Sequence, residues 1–190
     1  KDRMYTDKAD SLRRRSTQTT LYYLVNQLCI LLSPILVFTA DEAFEAIPGD
    51  NKKSSVHLSE YKPINYSLAD EEKKLWKLLF DLREPALSAL EKARQAKVIG
   101  KSLEGKMTIT GHPSLLPQNA EQTELLRELL NLSQIKIVPL DSADQALSAI
   151  TFETSNADGQ KCGRCWHYET SVGANMEHPT LCGRCLHAVL

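Results

Sequence analysis

Leu21, Leu24, Val25, Leu28, Leu31 and Leu32 recur at three- and four-residue steps, the period of one stripe on a helix. The pattern predicts a helix from about Asp10 to Leu32 with this stripe buried. Ser33-Pro34 ends it and can open the next, because proline fits a first helical turn. Thr39 followed three residues later by Glu42 has the form of a capping box before Ala43, Phe44 and Ile47, and Pro48-Gly49 closes the unit. Asp50 to Ser55 reads as polar linker, and Val56 to Tyr61 as a short extended segment stopped by Pro63. Ser67, with Asp70, Glu71 and Glu72 after it, marks a further helix start with acids at the positive end of the dipole. Leu75, Leu78, Leu79, Leu82, Ala86, Ala89, Leu90 and Ala93 continue one face to about Lys97, with Pro85 expected to kink or split the helix. Past Gly100 the period changes. Lys106–Thr110 and Ile135–Val138 read as strands flanking a helix over Glu121–Leu132, with Ile150–Thr154 as a third strand. The fold class is therefore mainly α, with a small α+β unit after the helices.

The chain has 190 residues, 42% of them hydrophobic and 25% charged, the composition of a globular protein. Its longest apolar run, Leu28 to Phe38, is too short to span a bilayer and is broken by Ser33 and Pro34. A first residue of Lys1, with no apolar leader after it, reads as a fragment of a longer chain. A net charge of −1 excludes a generic polyanion binder, so any nucleic-acid contact must be local. Two stretches concentrate positive charge: Lys1, Arg3, Lys8 and Arg13 to Arg15, and then Lys92, Arg94, Lys97, Lys101 and Lys106. Either set is read first as a solvated face and only second as a binding surface.

The strongest chemical signal is Cys162-Gly163-Arg164-Cys165, sixteen residues, and Cys182-Gly183-Arg184-Cys185. This spacing lets each pair grip one metal ion while the intervening loop brings the pairs together. Four thiolates suit Zn²⁺ and leave no open coordination position, so one structural zinc is expected, ahead of two disulfides or an iron–sulfur cluster. Gly163 and Gly183 would allow tight turns that a Cβ would hinder. His167, His178 and His187 are nearby alternative ligands. Arg164 and Arg184 have two open readings: they offset the negative charge of a zinc tetrathiolate, or they reach RNA phosphates. Trp166 and Tyr168 either plug a core too small to stabilise itself or offer a ring to an unstacked base, and packing is the favoured reading. The lone Cys29 belongs to an apolar helical pattern, and the cysteine usage as a whole fits a cytoplasmic protein.

Other signals fail. Ile99-Gly100-Lys101-Ser102 has the ending of a phosphate-binding loop, but Gln95 stands where the first glycine belongs and a helix precedes it rather than a strand. Asp41, Glu42 and Glu45 are explained by capping and solvation, and no spacing suggests a catalytic triad. No catalytic residue is predicted in the chain.

Several segments together resemble one family, the isoleucyl-tRNA synthetases of bacterial type. Lys1-Asp2-Arg3-Met4-Tyr5-Thr6-Asp7, Arg15, Gln18-Thr19, Leu21 and Pro34 to Glu42 are similar to its anticodon-binding helical domain. Ser55 to Leu58, Ala89 to Arg94 and Lys97 to Glu104 are similar to the stretch that follows. Cys162 to Cys165, Trp166, Tyr168, Val172-Gly173, His178-Pro179 and Leu181 to Cys185 resemble its C-terminal zinc finger, a type shared with formamidopyrimidine-DNA glycosylases. Phe44 stands where the resemblance leads us to expect Trp, and Gly105 where we expect Ala.

The resemblance implies four parts: residues 1–66 as the later portion of an anticodon-binding helical domain, 67–105 as a long helical connector, 106–157 as a small α+β unit, and 158–190 as a four-cysteine zinc module. It implies the anticodon side of tRNA(Ile) as partner, within a monomeric ligase that joins isoleucine to tRNA using ATP and edits valine. The HIGH and KMSKS signatures of that class are absent from this sequence, which places ATP and isoleucine binding upstream of Lys1. Cys162, Cys165, Cys182 and Cys185 are the expected zinc ligands. Arg13, Arg14, Arg15, Arg164, Trp166 and Arg184 are the expected RNA contacts, the arginine triplet on phosphates and the zinc module on loop bases. A repair glycosylase carrying the same finger, and a free-standing RNA-binding protein derived from a synthetase, are the competing readings.

Overall fold

The computed structural model describes residues 2–49, 52–63, 65–140 and 150–190. Lys1 and the first two residues of the expected linker, Asp50 and Asn51, lie outside these, as do residues 141–149 of the expected α+β unit. The chain divides into two compact units, residues 1–67 with 187–190, and residues 68–186.

The first unit is built on three helices, α1 (Asp2–Tyr5), α2 (Leu12–Leu32) and α3 (Val37–Glu45). Ser11 caps α2 by accepting the Arg14 N–H at 3.3 Å, and Ser33 ends it at the position expected. The expected capping box at Thr39 and Glu42 does not form. The Pro34 turn lets the Leu36 N–H reach the Leu32 carbonyl, so α3 starts earlier, at Val37, and Thr39 falls inside it. The expected extended segment at Val56 is a 3₁₀ turn, Val56–Leu58. The Asp41 carboxylate dictates this, because it accepts both the Ser55 hydroxyl and the Val56 N–H at 2.8 Å and pulls Val56 into the core. Those two bonds hold the Asp41 carboxyl below its ordinary value. Lys52 reaches the end of α3, donating to the carbonyls of Phe44 at 3.0 Å and Ile47 at 2.7 Å, where the dipole favours a cation.

The small core here is Cys29, Ala40, Phe44, Ile47 and Val56. Burial raises the Cys29 thiol, consistent with a packing role. The leucine stripe expected to be buried is not: Leu24, Leu28 and Leu31 are each half exposed, at 50%, 52% and 52%. Among the described residues α3 and the 3₁₀ turn cover the side of α2 that carries Cys29, and α1 meets its start, where Arg13 pairs with Asp2. Beside the stripe lies an apolar groove of about 660 Å³ whose walls include Met4, Gln18, Tyr22, Val25 and Ala46. No helix among the described residues is long and apolar enough to cross a membrane.

The second unit starts with α4 (Asp70–Gln95), opened by the Glu72 carboxylate accepting the Ala69 N–H at 3.1 Å rather than by Ser67. Pro85 neither splits nor ends this helix. Pro85 and Asp81, whose carbonyl loses its partner, are exposed, so water can take the bond, while Leu82, Ala86 and Leu90 continue one buried stripe past it. After α4 come β1 (Gly105–Gly111), α5 (Ala120–Leu130), β2 (Gln134–Pro139) and β3 (Thr151–Asn156). β1 is central, parallel to β2 with Ile109 opposite Ile137 and antiparallel to β3 with Ile109 opposite Phe152. α5 is the crossover between the parallel strands. It is capped by Asn119, which accepts the Gln122 N–H at 2.9 Å, and closed by Asn131 in the left-handed conformation. Leu79, Leu82, Leu90, Met107, Ile109 and Leu126 meet in one core, so α4 is a packed layer of this unit. A Cβ at Gly105 would lie 3.0 Å from Leu132 Cδ2 and 3.1 Å from the Ser102 carbonyl oxygen, so glycine is matched to its neighbours here.

Candidate metal centre

A hairpin of two short strands, β4 (Gln160–Lys161) and β5 (Tyr168–Glu169), carries the first Cys-x-x-Cys pair at its tip, and α6 (Gly183–Val189) opens within the second pair. Gly159 enters the hairpin with φ +86°, and a Cβ there would lie 2.4 Å from the Glu169 backbone, so only glycine fits. The two glycines inside the pairs are different: Cβ atoms at Gly163 and Gly183 would make ordinary contacts at 3.6 and 3.8 Å. The left-handed residue of the first pair is instead Trp166, with φ +69°. Its N–H donates to the Cys162 carbonyl at 3.0 Å, and the Cys162 N–H donates to the His167 carbonyl at 2.8 Å, which closes the knuckle.

The four thiols of Cys162, Cys165, Cys182 and Cys185 are buried, and their sulfurs lie within 4.8 Å of one another. Cys165 Sγ and Cys182 Sγ are 3.7 Å apart. That is far beyond a disulfide bond and close to the edge of about 3.8 Å of a tetrahedron with Zn–S bonds of about 2.3 Å. The residues therefore fit a tetrahedral metal. The Cys182 N–H points at Cys162 Sγ at 3.3 Å, and the Arg164 guanidinium at Cys185 Sγ at 3.8 Å. Burial disfavours the Cys162 thiolate, yet N–H donors from Cys165, Cys182 and Arg164 outweigh it and bring the thiol down to about 6. Burial, with the neighbouring sulfurs, pushes Cys165 and Cys182 up. Such a cluster gains most from a cation that takes all four sulfurs as thiolates. Apart from the thiols its core is Val172 with Leu181 packed against it, too little apolar surface to fold on its own.

His167 is buried with its carbonyl in the knuckle, His187 is exposed, and the metal-binding cluster among the described residues consists of the four cysteines alone. Arg164 takes the charge-offsetting position beside Cys185. Arg184 borders a cleft of about 410 Å³ with Arg127, Glu124 and Glu169, where burial raises the Glu169 carboxyl against the pull of both arginines. Trp166 is not core: 52% of it is exposed, with the Lys161 ammonium 5.5 Å from the ring centroid. Tyr168 is half buried, and its N–H donates to Ser133 at 2.7 Å, which ties the hairpin to the start of β2. In the first unit Arg13 is held bidentate by Asp7, at 2.6 and 2.9 Å, and Arg14 donates to the Asp7 carbonyl at 3.2 Å. Lys161, next to Cys162, stands apart from the two charge runs of the sequence. The Gly100 and Lys101 N–H groups, which a phosphate loop would offer to a ligand, are taken by the Glu104 carboxylate at 2.7 and 3.1 Å.

The helices of the first unit and the start of the second match the family described as the anticodon-binding domain of tRNA ligase, over residues 1–109, and the chain belongs to that family. Residues 159–188 match the zinc finger found in FPG and IleRS, and this match with the four close thiols assigns one structural Zn²⁺ to the module. Over its whole length the chain is similar to isoleucine–tRNA ligases, 41% identical to that of Histophilus somni and 39% identical to that of Glaesserella parasuis. It is 36% identical to that of Legionella pneumophila over 98% of its length. The chain spans 21% of the length of the first two relatives and 20% of the third.

Proposed function

We propose that the chain is the tRNA-binding, non-catalytic part of an isoleucine–tRNA ligase, a cytoplasmic and monomeric enzyme that joins isoleucine to tRNA(Ile) with ATP and edits mischarged valine. The family match over residues 1–109 carries the reading. Residues 1–66 supply the anticodon-binding helices and 158–190 the zinc module; of the stretch between them, 67–105 carries α4, which packs as a layer of the α+β unit of 106–157 rather than standing apart as a connector. Cys162, Cys165, Cys182 and Cys185 hold the zinc, whose chemistry is structural: it fixes the knuckles and leaves no position open for substrate. Arg14 and Arg15, with Arg13 braced on Asp7, meet phosphates and position the stem without reading its sequence. The zinc module reads the loop, with the Trp166 ring on an unstacked base and Arg164 or Arg184 on a phosphate or base edge. ATP and isoleucine are handled by domains outside this chain.

Stacking of a base on an aromatic side chain is worth about 1–3 kcal/mol. Trp166→Ala is therefore expected to weaken binding of tRNA(Ile) by about tenfold or more while zinc content and melting temperature stay unchanged, since the ring is half exposed. Filter binding alongside elemental analysis and thermal melting checks this, and unchanged affinity removes the stacking role. The purified chain is also expected to show no isoleucine-dependent ATP–pyrophosphate exchange. Clear exchange by this chain alone overturns the non-catalytic assignment.

A further inference from the structure

Residues 161 and 166 stand five positions apart in sequence, yet the knuckle folds them side by side. The Trp166 N–H and the Cys162 N–H both bond inward across the turn, and this leaves the Lys161 ammonium 5.5 Å from the centre of the indole. The arrangement has a cost. A left-handed conformation at a residue with a side chain costs about 1–2 kcal/mol, and an indole 52% exposed gives up half of the burial that its size offers. Strain of this kind persists where the surrounding structure enforces it, as the knuckle does here, and it clusters at ligand-binding sites.

Lys161 and Lys101 both act on the Glu104 carboxylate, which the Gly100 and Lys101 N–H groups already hold down, while Lys106 is taken by Asp158 at 2.6 Å. An aromatic face with an ammonium at its edge suits one ligand class in particular, a single-stranded nucleotide whose base stacks and whose phosphate is neutralised.

We propose that Lys161 and Trp166 act as one nucleotide-binding pair: the indole stacks an unpaired RNA base and the Lys161 ammonium contacts the phosphate beside it. Lys161 is thus an RNA-contact residue of the zinc module. This inference rests on the tRNA-binding reading above and adds to it the residue that supplies the electrostatic part.

The test titrates the full 190-residue chain with a synthetic anticodon stem-loop RNA at several salt concentrations, following tryptophan fluorescence. The chain has two tryptophans, so Trp166→Phe identifies the ring that responds. RNA is expected to quench the wild-type chain, and the quench is expected to vanish in Trp166→Phe. Each phosphate neutralised on a single strand contributes about 0.7 to the slope of log K against log salt. Lys161→Gln is therefore expected to lower that slope by about 0.7 and to weaken binding severalfold at low salt, while Lys161→Arg keeps both. Zinc content is measured on every variant, and Lys161→Met replaces Lys161→Gln in the slope measurement if the latter sheds metal. A wild-type slope in the charge-neutral variant, with the Trp166-dependent quench intact, overturns the role of Lys161 and leaves the stacking role standing. A wild-type chain that neither binds nor is quenched overturns the RNA reading of the zinc module and the pair together.

Discussion

Chelation is expected to release one zinc per chain and to unfold the segment from Gly159 to Val189 while the α4 core persists. Structural zinc in finger peptides is worth about 10–16 kcal/mol near neutral pH, and the module has little else: four thiols, Val172 and Leu181 make up its interior. The β4–β5 hairpin contributes two paired positions, Gln160 with Glu169 and Lys161 with Tyr168, too few to stand alone. Zinc loss should also free Trp166, because the knuckle that holds its left-handed backbone is closed through Cys162. Hydrogen exchange with and without a strong chelator separates the regions. Protection should be lost at Cys162, Trp166 and Leu186, whose N–H groups bond across the metal-binding turns, and retained in the α4 stripe from Leu79 to Leu90. An elemental analysis without zinc, or a disulfide between Cys162 and Cys165, ends the assignment.

Leu90→Ala is expected to lower the stability of the second unit by about 2–5 kcal/mol, the range for removing a fully buried leucine from a core that relaxes only in part. Leu90 is fully buried in the cluster that α4 forms with Met107, Ile109 and Leu126. Because α4 is a layer of that unit, the loss should appear in the urea unfolding of the sheet as well as in helix content. Arg83→Ala, at a partly exposed position on the same helix, is the control and should stay within about 0.5 kcal/mol. Equal effects of the two substitutions would mean that α4 is a solvated connector whose inner face contributes no core.

The metal cluster was legible from spacing alone, because a Cys-x-x-Cys pair is a local chelate that turns the same way in any context. Helices α2 to α5 and the three strands of the sheet were legible because period is a one-dimensional property: β1 alternates from Met107 to Ile109, and α4 keeps its stripe from Leu79 to Ala93 despite Pro85. Errors clustered at ends and turns, where a distant group wins. The Asp41 carboxylate, fourteen residues from Ser55, converts an extended pattern at Val56 into a 3₁₀ turn, and the Pro34 turn moves the start of α3 ahead of Thr39.

What the sequence determined by itself is thus the longer helices, the three strands of the sheet and the four thiols, while α1, α6 and the β4–β5 hairpin carried no periodic signal of their own. Only the tertiary structure decided which faces are covered. The α2 stripe has the same period whether it is buried or bare, and Trp166 has the same apolar ring whether it plugs a core or stands out from it. Exposure depends on what packs opposite, and that is fixed by hydrogen bonds and contacts far apart in sequence. For Trp166 the folded module leaves the ring half exposed beside Lys161 rather than packed against Val172 and Leu181.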